Sequence, residues 1–84
     1  MIRADALAVG DVIDWRGLPA EVLSVDLGRT VEIVVHLVAE SLPPFRITYP
    51  ILTAEEWNAE WTAEEFAARR EADLDAEQFT LIES

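Results

Sequence analysis

The residues best equipped for chemistry in this sequence are its carboxylates. They crowd into two near-identical pentapeptides, Thr53-Ala-Glu-Glu-Trp57 and Thr62-Ala-Glu-Glu-Phe66. Two carboxylates can divide acid and base roles when their surroundings push their pKa values apart. Adjacent residues on a helix, however, point about 100° apart. A Thr followed three residues later by Glu is also the pattern of a helix-starting capping box. The Glu55–Glu56 and Glu64–Glu65 pairs therefore read as two helix starts. His36 is the single histidine, so no multi-histidine zinc site can form within one chain, and a strand histidine among apolar neighbours reads as packed or surface-facing. Asp73-x-Asp75-x-Glu77 opens like a calcium loop, but Gln78 and Ser84 stand where that loop needs Gly and a bidentate Glu. Gly10, Gly17 and Gly28 are isolated turn residues and form no phosphate loop. The expectation is a protein that is not an enzyme and needs no cofactor or metal.

Charge is the extreme feature. Six arginines and no lysine oppose seventeen carboxylates, a formal net charge of −11. Such a surface repels nucleic acid and anionic membrane before contact, so neither is expected as a direct partner, whereas a basic protein surface is. Residues 53–84 carry ten acids against two arginines, and residues 1–52 carry seven against four. An acidic helical face reads first as solvation. The same face can steer a basic partner, with Glu55, Glu56, Trp57, Glu60, Trp61 and Glu64 as the candidate contact residues. Trp57 and Trp61 have two readings, as core anchors pinning helix to sheet or as a hot spot rimmed by carboxylates. With no cysteine, disulfides and thiolate sites are excluded. No run has the length of a signal-peptide core or a membrane span. A cytoplasmic protein is expected, and the Arg-, Ala- and Glu-rich, lysine-free composition reads as bacterial or phage.

The elements that position these residues divide the chain into a sheet part, 1–52, and an acidic helical part, 53–77. The stretch 78–84 is either a closing strand or a frayed end, and all 84 residues form one domain. Ala4 to Ala8 is a helical turn or an extended lead-in. Val12 to Trp15 is a strand, the Arg16-Gly17 pair a hairpin turn, and Glu21 to Leu27 a second strand. Its alternation puts Leu23, Val25 and Leu27 on one face. Thr30 to Ala39 is the strongest strand, with Val31, Ile33, Val35 and Leu37 facing inward. Phe45 to Leu52 is a fourth, closed off by Pro50. From Thr53 the period changes. On one continuous helix Trp57 and Trp61 would face nearly opposite to Phe66 and Leu74. A break near Thr62 lets both stripes meet one core, which predicts helices over 54–60 and 63–75 with a Glu65–Arg69 pair at i,i+4. The predicted core is Val12, Leu23, Val25, Val31, Ile33, Val35, Leu37, Ile47, Trp57 and Phe66.

Residues 4–40 resemble small SH3-like barrels of the KOW type, in particular the N-terminal domain of translation elongation factor P. Gly10, Gly17, Pro19 and Val22-Leu23 carry the likeness. The resemblance implies a small antiparallel SH3-like barrel for that part. Together with the strand signals and the two helix starts after Thr53, the expected fold is an α+β protein with an SH3-like meander or barrel of four or five strands, followed by two short C-terminal helices. The family's basic loop tip is replaced here by Asp26-Leu-Gly-Arg29.

The functional expectation is a non-catalytic protein–protein binding or assembly module, a bacterial or phage accessory protein that uses its acidic helical face. The alternative is an acidic mimic of nucleic acid that inhibits a DNA- or RNA-binding protein. A homodimer or larger assembly would form through the mixed face of the third strand, at Val34 and Val38.

Overall fold

The structure, a computed structural model, describes residues 1–82, so residues 83–84 of the predicted closing segment lie outside the described residues. In chain order the elements are β1 (Ile2–Arg3), a 3-10 turn (Ala4–Ala6), β2 (Val12–Trp15), β3 (Leu18–Leu27), β4 (Val31–Leu37), β5 (Phe45–Tyr49), α1 (Ala54–Asn58), α2 (Ala63–Ala76) and β6 (Gln78–Phe79). The class is α+β with antiparallel sheets. Strands β2-β3-β4-β5 form an open four-stranded meander, and β1 with β6 forms a two-stranded ribbon. The chain beyond β6 ties the ribbon to the meander, where Asp14 N–H donates to the Thr80 carbonyl at 2.9 Å and Ile82 N–H to that of Val12 at 2.7 Å. The four-stranded sheet does not close into a barrel.

The β2–β3 hairpin shows why the Arg16-Gly17 pair stands where it does. Both residues have positive φ, 52° and 86°, as a two-residue turn between right-twisted strands demands. Gly17 meets this without strain. Arg16 is helped by Asp14, whose Oδ1 accepts from Gly17 N–H at 2.8 Å. Pro19, the second residue of β3, lies opposite Asp14 near the hairpin's turn end. That is a strand-end position, the kind a residue without an N–H tolerates.

The core lies on one face of the meander. Val31, Ile33, Val35 and Leu37 of β4 are buried, as their alternation predicts. Opposite them on β5 come Tyr49, Ile47 and Phe45, of which Tyr49 is fully buried and the other two half-buried. On β3 the register shifts between Val22 and Ser24. This bulge corrects the expected strand face. Val22, opposite Val35, is fully buried, and Leu23 turns outward at 39% exposure. Val25 faces inward again opposite Ile33, while Leu27, also on the inner face, is exposed at the hairpin end. A bulge places two residues against one and so reverses the alternation beyond it.

Val12 is likewise not a core residue. It pairs with Glu21 on the outer face, and Ile13, opposite Ala20, is the fully buried one. Ala4, Leu7, Leu74 and Phe79 complete the core from outside the meander. The strand predicted over Thr30 to Ala39 ends at Leu37, with Val38 and Ala39 in the following turn. The strand predicted to Leu52 ends at Tyr49, before Pro50.

The predicted helix break is present. Thr53 caps α1 through a reciprocal box with Glu56, and Thr62 caps α2 by accepting from Glu65 N–H at 3.1 Å. The predicted Glu65–Arg69 pair is replaced, since Arg69 instead engages Glu56 and Asp73. Phe66 and Leu74, eight residues apart on one side of α2, are its two buried residues.

Candidate functional site

Trp57 overturns the core-anchor reading for one of the two tryptophans beyond Thr53. It is 61% exposed, whereas the other two tryptophans, Trp15 and Trp61, are half-buried. The cause lies in α1, a single helical turn with no buried residue. One turn covers little surface, so the side chain stays outside the core.

Trp61 is held differently. Its indole N–H donates to the Glu56 carbonyl at 2.6 Å, and its ring meets Phe66 edge-on with centroids 6.4 Å apart. That hydrogen bond links the α1–α2 connection back to α1, and the edge-on contact seats Trp61 against α2. Between these rings and the β3–β4 turn lies a hollow of about 260 Å³, lined by Leu52, Trp57, Ala59, Trp61 and Phe66, with Arg29, Thr30 and Glu56 at its polar margin. A second hollow of about 400 Å³ adjoins it, sharing Arg29 and Phe66 and running along Ala63, Ala67 and Arg70. The two together make an aromatic groove with an apolar floor and few polar groups, the usual composition of a binding cleft.

The expected contact residues do not behave alike. Glu55, Glu60 and Glu64 are exposed, as a surface meeting a basic partner requires. Glu56 is committed within the chain. Its carboxylate accepts from Thr53 N–H at 3.1 Å and from the Arg69 guanidinium. The Thr53 hydrogen bond first, and Arg69 second, hold the Glu56 carboxyl below the usual carboxylate range. Arg69 also donates to the Ile51 carbonyl at 3.0 Å and pairs with Asp73, so one guanidinium fastens the β5–α1 connection, α1 and α2 to each other. Its own pKa is raised, chiefly by Glu56. Arg3 performs a similar service on another side of the C-terminal half of α2, meeting Glu71 at 2.9 Å, Asp75 at 3.0 Å and Asp5 at 2.9 Å. The hydrogen bond to Arg3 in turn lowers the Glu71 pKa.

Three further participants escaped the sequence reading. Arg29 lies with its guanidinium 4.9 Å from the Phe66 ring centroid. Arg70 donates to the carbonyls of both Gly28 and Arg29 at 2.9 Å and so clasps the β3–β4 turn to α2. Leu52 supplies the apolar wall. The signal for Arg29 was present in the Gly28-Arg29 turn, but the α2 residue it would meet lies 37 positions on, beyond the reach of local pattern.

Val34 and Val38 differ in setting. Val34 is half-buried on the outer face of β4, opposite Ser24 and Arg46, and Val38 is exposed in the turn beyond the strand. His36 is half-buried opposite Glu21. Among the described residues no group of three or more His, Cys, Asp or Glu is placed to hold a metal, and no helix is long and apolar enough to cross a membrane. No protein-family model matches this chain, and neither does any curated protein or solved structure.

Proposed function

We propose that this chain is a non-catalytic protein-binding module whose docking site is the aromatic groove between the β3–β4 turn and the α1–α2 connection. Its occupant is a segment of a basic partner that carries a large apolar residue. One observation carries the reading: an exposed tryptophan, Trp57, borders a hollow lined by Trp61, Phe66 and Leu52. Tryptophan is the residue type most enriched where a few contacts dominate binding. The exposed Glu55, Glu60 and Glu64 supply charge complementarity to lysines and arginines flanking the anchor, which speeds encounter and orients it. The fold, in this reading, is a curled SH3-like sheet that serves as scaffold. The contacts of residues 80–82 with β2 support that curvature.

Docking fits better than mimicry of nucleic acid. A mimic needs its carboxylates free and regularly spaced, and Asp5, Glu32, Glu56, Glu71, Asp73 and Asp75 are already engaged by arginines.

The test is selection of a random-sequence peptide library, displayed with free C-termini, on the wild-type protein. The expected winners combine Arg or Lys with a large apolar residue and shift the Trp57 and Trp61 indole N–H signals in NMR spectra. They should lose roughly 30-fold or more in affinity on Trp57→Ala, the loss that marks a hot spot. Failure to enrich any sequence, or winners indifferent to Trp57→Ala, would sink the proposal. Enrichment of polycations without an apolar residue would do the same and would favour the mimic.

A further inference from the structure

The arginines of this chain are unequally employed. Arg3 and Arg69 take five of the six ion pairs and Arg46 the other. Among the described residues, Arg16, Arg29 and Arg70 form none. Arg16 rests over Trp15, 5.1 Å from the ring centroid, on the β2–β3 turn. Arg29 and Arg70 converge at the other end of β3. Arg70 is spent on two backbone carbonyls, and its Nε–H has no acceptor. Arg29 is exposed, held by the face of Phe66 and by no carboxylate. A local positive spot therefore sits on the margin of the aromatic groove, in a chain whose net charge is −11.

We infer that this spot is the polar end of the binding site: Arg29 receives a carboxylate of the partner, and the apolar group next to that carboxylate fills the hollow over Phe66, Trp61 and Trp57. The inference rests on the groove being the docking site and names what the groove selects. A planar guanidinium stacked on a ring is already oriented and loses little freedom when a carboxylate engages it in a two-pronged contact. The chain has seventeen carboxylates of its own, yet none forms an ion pair with Arg29 among the described residues, so its charge remains available.

A carboxylate suits the site better than a phosphate. Beside the Glu56 carboxylate, which Arg69 already pairs, the margin offers the Arg29 guanidinium and the Thr30 hydroxyl, too few donors for a dianion, and the surrounding negative field opposes the second charge. Arg29 and the hollow share the ring of Phe66, so charge and apolar body must be attached to nearly the same atom. The C-terminal residue of a chain bears both on one Cα. The partner segment is therefore a C-terminal tail ending in a large apolar residue, with its upstream basic residues running out toward Glu55, Glu60 and Glu64.

The experiment uses the peptides selected above, synthesised with a free C-terminal carboxylate and as the C-terminal amide, and titrated calorimetrically against wild type and Arg29→Ala. Circular dichroism checks that the variant keeps the wild-type fold, and Arg29→Lys serves as a second variant that retains charge without the two-pronged geometry. Amidation and Arg29→Ala should each weaken binding roughly 10-fold, the size of a lost charge-assisted contact. The two losses should not add, because they remove the same contact. Arg29→Lys should fall between wild type and Ala. Equal binding of acid and amide, or full retention when the carboxylate is moved to an internal Asp of an amidated peptide, would overturn the inference while leaving the groove as docking site. Absence of any Trp57-dependent peptide would instead remove the docking site itself, and this inference with it.

Discussion

Tyr49 shows how much one buried atom can reveal. Its side chain is fully buried under the meander, and its hydroxyl has no hydrogen-bond partner among the described residues. Burial first, then the nearby Glu77 and Asp73 carboxylates, push its pKa up to about 12. A buried hydroxyl without a partner carries a desolvation cost, and replacing it by a group of the same shape removes that cost. Tyr49→Phe should therefore leave stability unchanged or raise it by up to about 1 kcal/mol, measured by urea denaturation at neutral pH. The raised pKa also fixes an alkaline effect. The folded chain holds the phenol proton more tightly than the unfolded chain, so this contribution is intact below pH 10.0 and is lost as pH rises toward about 12. Wild type should lose stability across that window more steeply than Tyr49→Phe. A Phe variant weaker by more than about 1 kcal/mol at neutral pH would mean that the hydroxyl does have a partner. Leu74 is the opposite case, an apolar side chain with 1% exposure. Leu74→Ala should cost about 2–5 kcal/mol, because Leu74 is the residue by which α2 enters the buried cluster under the meander.

At the scale of elements, the weakest member borders the site. A single turn such as α1 has no stability of its own in water, so its place is set by the Thr53 capping box, the Trp61 hydrogen bond and Arg69. Thr53→Ala should cost about 1 kcal/mol. Arg69→Met should release α1 and the Leu52 wall and abolish peptide binding in the groove, while α2 keeps its helical circular dichroism signal. Acid should act on the same joint. The Glu56 pKa is lowered from 4.5, so the stability it confers is complete above that pH and is lost as pH falls below it. Glu56→Gln should remove that part of the acid transition. Some of this was legible in the sequence. The two Thr-Ala-Glu-Glu signals reveal the helix break, and the valines of β4 reveal the inner face, because both depend on local spacing. The expectation that the Trp57 stripe would join one core with Phe66 fails, since α1 has no buried residue. The β3 bulge was not, since a register slip is decided by the partner strand. Nor was the role of Arg69, whose Glu56 lies thirteen residues back while the local pattern pointed to Glu65.

For the whole molecule the deciding quantity is the range over which charges feel one another. The protein measures 42 × 24 × 20 Å. At about 10 mM salt the screening length is about 30 Å, so most of the seventeen carboxylates repel most others across the fold; at about 0.1 M it falls to about 10 Å. The ion pairs act over 4.0 Å or less and outlast that change, and exposed pairs of this kind are worth only about 0–1 kcal/mol each. Removing long-range repulsion should therefore outweigh weakening the pairs. The melting temperature should rise as sodium chloride goes from about 10 mM to about 0.2 M, where screening changes fastest relative to the molecule's size. Binding in the groove should weaken over the same range, since the attraction of a basic segment to Glu55, Glu60 and Glu64 is screened along with the repulsion. The two trends must therefore run in opposite directions in one titration. A melting temperature that falls with salt would show that the Arg3 and Arg69 pairs outweigh the repulsion. The acidic helical part would then be a net stabilising feature of the fold and not a cost borne for the proposed partner.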